Sequence, residues 1–250
     1  MPEVLAGVLA TPGLIWIVMA ALVAGCVYGF AGFGAALIFM PIATAFVTPE
    51  VAVAAFAVSA LASLVTVYPK AWVNCDRRAS VLMITAALIT APLGVWVLRT
   101  ANDLWLRWAV VAVVTITLIA LLAGWRYRST PNTATRAAVG GATGFVGGAT
   151  GLNGPVIVLF NLAGQDPVAR VRANNIIFLT TNSLLLLPIM ALQGVLPMTS
   201  VLIGLTLLIP YGCGAWLGQR LFNPNQQHIY RGVAYTIIAA AIIIGLPIYQ

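Results

Sequence analysis

Acidic side chains are nearly missing from this chain: 250 residues hold five, Glu3, Glu50, Asp76, Asp103 and Asp166, and histidine occurs once, at His228. All six lie in loops or at the ends of apolar runs, so none is placed for a proton relay through a membrane. Cysteine occurs three times, as Cys26, Cys75 and Cys213, with no C-x-x-C spacing, which suggests neither a disulfide framework nor a zinc site. There is no G-x-S-x-G, no H-E-x-x-H and no pair of intramembrane aspartates. An enzyme is therefore not expected, and no cofactor or metal is called for. The opening MPEVLAGVLATPG has Glu3 and no lysine or arginine, so the basic start of a cleavable signal peptide is missing and the first apolar segment is expected to stay.

Charge of either sign is scarce. Only 7% of residues are charged and 62% are hydrophobic, against about 25% and about 45–50% in soluble domains. The chain reads as an all-α integral membrane protein with apolar runs near 51–68, 80–98, 107–125, 173–192, 199–218 and 232–249, each close to the roughly 20 residues that cross a bilayer. Residues 1–250 then form one transmembrane domain. A net charge of +7 could suggest nucleic acid, but Lys70, Arg77, Arg78, Arg126, Arg128 and Arg136 fall in short loops between spans. There they set orientation and meet anionic lipid, so membrane lipid is the expected partner and nucleic acid is not. Trp72, Trp105 and Trp125 at span ends read as interfacial anchors.

What the chain does have is glycine at recurring positions. Gly29-Phe-Ala-Gly32-Phe-Gly34 aligns with Gly148-Ala-Thr-Gly151-Leu-Asn153 at an offset of 119, Pro49 with Pro167 at 118, and Gly94-Val-Trp96 with Gly214-Ala-Trp216 at 120. Residues 14–125 and 136–249 are read as two copies of one unit. Each opens on a glycine-broken apolar stretch, 14–30 then 34–47, and 137–149 then 154–166. The 13 residues of 137–149 reach about 20 Å, short of a hydrocarbon core of roughly 30 Å. Each opening pair is therefore expected to enter and return as a re-entrant hairpin broken near the midplane, followed by three transmembrane helices.

The cations separate this reading from one long helix. With a single crossing per opening stretch they divide six against six. With hairpins, Lys70, Arg77, Arg78, Arg126, Arg128, Arg136, Arg170, Arg172, Arg220 and Arg231 share one side and only Arg99 and Arg107 face the other. Ten against two is an orientation signal. It places both termini outside the cytoplasm and inverts the second copy relative to the first, the pattern that points to a transporter's midplane site.

Unwound backbone at membrane depth is tolerated where it is buried in protein or lines a cavity. Asn153 is expected to cap the helix after the second break, with Pro155 in its first turn, leaving N–H groups and partial positive charge toward a cavity suited to an anion. Gly32, Phe33, Gly34, Thr150, Gly151, Asn153, Gly154 and Pro155 are the candidate substrate-binding residues at the breaks. Close packing between helices is the alternative for glycine, and it stands beside the site reading for Gly25, Gly29, Gly140 and Gly144. Asn174, Asn175 and Asn182 join the candidates because their run carries unusual polar density for a span. Asn175 and Asn182 share one helical face and Asn174 a neighbouring one. Interhelical hydrogen bonding is the other account of them.

"GFAGFGAALIFMP" at 29–41 and "GATGLNGPVIVLF" at 148–160, with "TPEVAV" and "QDPVARVRAN" after them and "YRGVAYTIIAAAIIIGLP" at 230–247, resemble the paired signatures of the sulfite exporter TauE/SafE family of bacterial membrane proteins. The resemblance implies a multi-pass inner-membrane carrier that exports a small sulfur-containing anion, sulfite or an organosulfonate. The chain departs from the family's commoner Gly-Gly-Gly run, with Ala35 and Ala36 in the first copy and Gly154-Pro155 after Asn153 in the second. A passive anion channel is the second reading and a membrane-embedded enzyme a third; a homo-oligomer is left open. Expelling a monovalent anion down an interior-negative potential gains about 2.3 kcal/mol per 100 mV, so export needs no proton coupling.

Overall fold

A computed structural model describes residues 11–124, 132–164, 166–222 and 227–249, the side chains of 227–230 and 249 excepted. The expectations for Glu3, Trp125, Arg126, Arg128 and the His228 side chain fall outside it. Regular structure in the described residues is helical throughout: α1 Leu14–Ala31, α2 Ala35–Thr44, α3 Pro49–Ser59, a 3-10 turn Ala60–Ala62, α4 Ser63–Thr66, α5 Tyr68–Asn74, α6 Arg77–Thr100, α7 Asp103–Leu122, α8 Thr133–Thr150, α9 Pro155–Ala163, α10 Val168–Leu192, α11 Met198–Leu221 and α12 Gln227–Ile244. Among them α1, the run from α3 through α4, and α6, α7, α10 and α11 are long and apolar enough to cross a membrane. The chain is a multi-pass membrane protein.

Polar side chains outside the apolar runs start several helices. The Asp76 carboxylate accepts from the Ala79 N–H at 3.1 Å, Asn102 from Leu104 at 2.9 Å and Asn132 from Thr135 at 2.7 Å. The cap at Asn132 corrects one expectation: α8 begins at Thr133 and has 18 residues, about 27 Å, so shortness alone does not force the chain to turn. Glycine turns it. Both α1 and α8 end on a left-handed residue, Gly32 at φ 77° and Gly151 at φ 72°, whose N–H groups donate back to the Tyr28 and Gly147 carbonyls. This is the usual glycine helix end.

Residue-to-residue contacts give the helix directions. A Cβ at Gly13 would fall on the ring of Phe46, so α2 folds back along α1. The Asn153 amide meets Asn182 and Ser183 while Asn161 meets Asn175, so α9 runs against α10. Gly140, Gly144 and Gly148 of α8 lie on Met83, Ala87 and Ala91 of α6 in that order, so these two run parallel. Helix α10 also parallels α6, since Asn174 meets Asp76 and Gln193 meets Pro92. Thus α9 returns along α8. By the same reasoning α1 parallels α11, through Gly25 on Tyr211 and Gly29 on Ala215. The run from α3 to α4 parallels α11, through Gly204 on Ala55 and Gln219 on Thr66. Tyr28 and Gly29 meet Ile176 and Arg172, so the α1 group runs opposite to the α10 group.

The two most extensive pairings are α6 with α8 and α1 with α11. Both are glycine seams: a Cβ at Gly25, Gly29, Gly94, Gly144, Gly214 or Gly218 would overlap a backbone carbonyl of the facing helix. Small residues let backbones approach where hydrocarbon offers no hydrophobic drive to association. The packing account therefore holds for Gly25, Gly29, Gly140 and Gly144. One end of the molecule gathers the cations. Arg136 pairs with Asp76 at 3.4 Å, Arg172 lies over Phe222 at 4.4 Å, and Arg231 shares a cavity wall with Arg172, while Arg99 sits in the last turn of α6 at the opposite end.

Gly144→Val should destabilise the fold by about 1–3 kcal/mol or more, because added carbon must displace helix α6. Gly232→Ala, where a Cβ meets nothing within 4 Å, should leave stability unchanged or slightly raised. Thermal melting in detergent compares the two, and equal midpoints would remove the seam's structural role.

Candidate substrate cavity

The chain reversals end inside the protein and pass one another. A Cβ at Gly151, at the second tip, would touch Met40 Sδ and Val53. The second tip thus reaches past the start of α2. Between the tips lies a small cavity of about 30 Å³, walled by Gly34, Ala35, Ala36 and Leu37 of the first and by Asn153 and Gly154 of the second. Tyr28, Phe56, Ala60, Ser63, Leu179, Thr180, Ser183 and Tyr211 complete it. Its lining is neutral: among the described residues no acidic or basic side chain contributes to the wall.

Two features suit an acceptor-rich guest. Helix α2 starts at Gly34, φ 94°, with no side-chain cap, and its first intrahelical bond is from the Ile38 N–H to the Gly34 carbonyl. The N–H groups of its first turn therefore need partners from elsewhere, which a buried helix end does not ordinarily go without. The second feature is Ser63, set at the wall by the 3-10 turn Ala60–Ala62. Ser63 is 1% exposed, and its hydroxyl interacts with the Tyr211 phenol but makes no hydrogen bond of normal geometry among the described residues. The Tyr28 hydroxyl, by contrast, is engaged: it donates to the Ile176 carbonyl at 3.2 Å and shares a 2.9 Å bond with the Thr180 hydroxyl.

The sequence candidates divide. Gly34, Asn153 and Gly154 face the cavity. Asn153 does not cap α9, which corrects the expectation for it: the N-cap is Gly154, without a side-chain bond, and Pro155 holds the first turn. The Asn153 amide instead folds against Gly147, where a Cβ would collide with it, and reaches α10, accepting from Asn182 Nδ2 at 2.8 Å and donating to Ser183 at 3.4 Å. Gly32 and Phe33 lie away from this space. A Cβ at Gly32 would meet Arg172, and Phe33 lines a second cavity with Phe30, Arg172 and Phe222. Thr150 turns inward, donating to the Val146 carbonyl at 2.7 Å, and Gly151 is packed. Asn174 accepts from the Asp76 N–H at 2.8 Å, and Asn175 accepts from Asn161 at 2.6 Å.

Sequence reasoning missed Ser63, Tyr211 and the α2 first turn. Polar or aromatic residues within apolar runs were the available signal, but nothing in spacing places residues 63 and 211 together. Arg172 also has a definite task. Its guanidinium donates to the carbonyls of Gly29, and of Phe30 at 3.2 Å, the last carbonyls of α1. A cation there meets stranded acceptors and the negative end of the helix.

Oppositely directed helix groups, paired chain reversals and a shared cavity at their tips describe a multi-pass membrane protein with an internal site. The chain belongs to the sulfite exporter TauE/SafE family, whose profile matches residues 6–244. This is a family of membrane exporters of sulfite and related anions. No curated protein and no solved structure matches the chain.

Two outcomes follow from these contacts. Asn153→Ala leaves Asn182 Nδ2 buried and unpaired and should cost about 1–3 kcal/mol, a loss that pairing it with Asn182→Leu should partly restore in thermal melting. The Asp76 carboxyl is held below the usual range, first by the Ala79 N–H and further by Arg136, against the opposing effect of partial burial. Its stabilising contribution is present above about pH 3.9 and is lost as pH falls through its lower folded value. The melting midpoint of the parent chain should therefore fall more steeply in acid than that of Asp76→Asn.

Proposed function

We propose that this protein exports a small sulfur-containing anion, of the sulfite or organosulfonate class, across the bacterial inner membrane by alternating access. The cavity between the two chain reversals is its binding site. The observation that carries this is the uncapped first turn of α2 facing a buried space together with the buried Ser63 hydroxyl, which makes no hydrogen bond of normal geometry among the described residues. Donors fixed in such a space favour oxygen-rich anions. The two copies act as inverted repeats, each a hairpin followed by three helices. The opposed helix groups and the equivalent seams, α1 on α11 and α8 on α6, support that reading. With the cationic end in the cytoplasm, both termini and the turn at Gly194 face the periplasm, as the positive-inside rule requires. A passive channel would share the donors, but a channel needs a continuous path and a carrier a saturable site.

Counterflow in proteoliposomes tests the proposal. Sulfite or an alkanesulfonate inside should drive saturable uptake of labelled substrate, at equal pH on both sides and with a response to an imposed potential. Strictly linear flux would favour the channel, and a strict demand for a pH gradient would refute potential-driven export. Gly154 has an ordinary φ of −86° and only Val158 near its Cβ position. Gly154→Val should therefore fold normally and yet cut flux about tenfold or more by intruding on the cavity. Normal flux through that variant would move the site elsewhere.

A further inference from the structure

The charge of the ligand follows from the fixed charges around the cavity, taking the cavity as the anion site. Four helix ends meet at the tips: the N-termini of α2 and α9 and the C-termini of α1 and α8. Each N-terminus counts as about +0.5 and each C-terminus as about −0.5 of an elementary charge. Alone, the four ends cancel, and a reversal of this kind would offer an anion donors without net attraction. Arg172 breaks the balance. It sits on the Gly29 and Phe30 carbonyls at the end of α1, the residues that directly follow Tyr28 of the cavity wall. The position 118 residues earlier, matching the Pro49 to Pro167 offset, is Ala54 in α3, so the second hairpin has no corresponding cation. The ionisable groups at the wall itself, Tyr28 and Tyr211, are neutral phenols at physiological pH, and Arg172 stands behind the wall. Arg231, beyond Arg172 on the second cavity's wall, is part-exposed and screened by water.

We infer that the cavity holds about one net positive charge, supplied by Arg172, and selects singly charged oxyanions over doubly charged ones. A monoanion is balanced there. A dianion leaves one charge uncompensated in a medium of low polarity, where an unpaired charge is costly, and gives up far more hydration to enter. The wall also offers Leu37, Phe56 and Leu179. An apolar substituent on sulfur has a surface to lie against.

Methanesulfonate and sulfate share a tetrahedral sulfur and differ in charge, with a methyl group in place of one oxygen. Perchlorate keeps four oxygens and carries one charge. Binding of all three to the purified protein should place methanesulfonate and perchlorate at least about tenfold tighter than sulfate. Arg172→Gln should weaken methanesulfonate by about tenfold or more, and Arg172→Lys, which keeps the charge, should stay within about threefold of the parent. Sulfate binding as tightly as both monoanions overturns the inference while leaving the anion site standing, and so does an Arg172→Gln variant that is folded and binds methanesulfonate normally. If none of the three anions binds, and counterflow with sulfite is also silent, the anion site falls and the inference with it. Comparison of the three anions on the parent chain needs no variant to fold.

Discussion

A peptide group without a partner in hydrocarbon costs several kcal/mol, and each chain reversal strands several of them at once. The carbonyls closing α1 and the N–H groups opening α2 lie deep in the protein, away from bulk water. Much of the architecture answers that demand. The opposing hairpin, α10 and α11 surround the tips, so that unwound backbone borders protein and cavity. The glycine seams bring whole helices close enough to provide that cover.

The two reversals solve the same problem by different means. At the first, Arg172 reaches from α10 to the carbonyls of Gly29 and Phe30. At the second, Asn153 tethers the tip to Asn182 and Ser183 on the same helix. Helix α10 thus holds both tips, one by charge and one by amide. Its polar density, unusual for a span, is used mostly in interhelical bonds, with Thr180 and Ser183 also reaching the cavity wall.

Composition and glycine position made the helical, multi-pass character legible, because burying peptide groups in hydrocarbon admits few alternatives. The doubled break at Gly32–Gly34 and Gly151–Gly154 was legible for the same reason, as loop residues inside apolar runs. The length of α8 was not: Asn132 caps it from a polar stretch that hydrophobicity undercounts. Asn153 misled because an asparagine just ahead of a Gly-Pro helix start is a good cap locally. Its actual partner, Asn182, comes from a distant stretch that no local rule reaches. Gly147 acquires its meaning only once that amide is placed. Ser63 and Tyr211 stayed hidden because their proximity is a property of helix crossing, and single-sequence periodicity carries no crossing.

The parallel seams also bear on how the chain is made. The face of α1 that carries Gly25 and Gly29 rests on Tyr211 and Ala215, which are translated 186 residues after them. Helix α1 therefore waits with its small-residue groove open until α11 is made. Helix α8, by contrast, finds α6 already in place. The seam of α8 on α6 can thus close before α10 is made, whereas the seam of α1 closes only with α11. A release of the chain before α11 leaves that groove bare, and small-residue grooves in membranes pair readily with other helices.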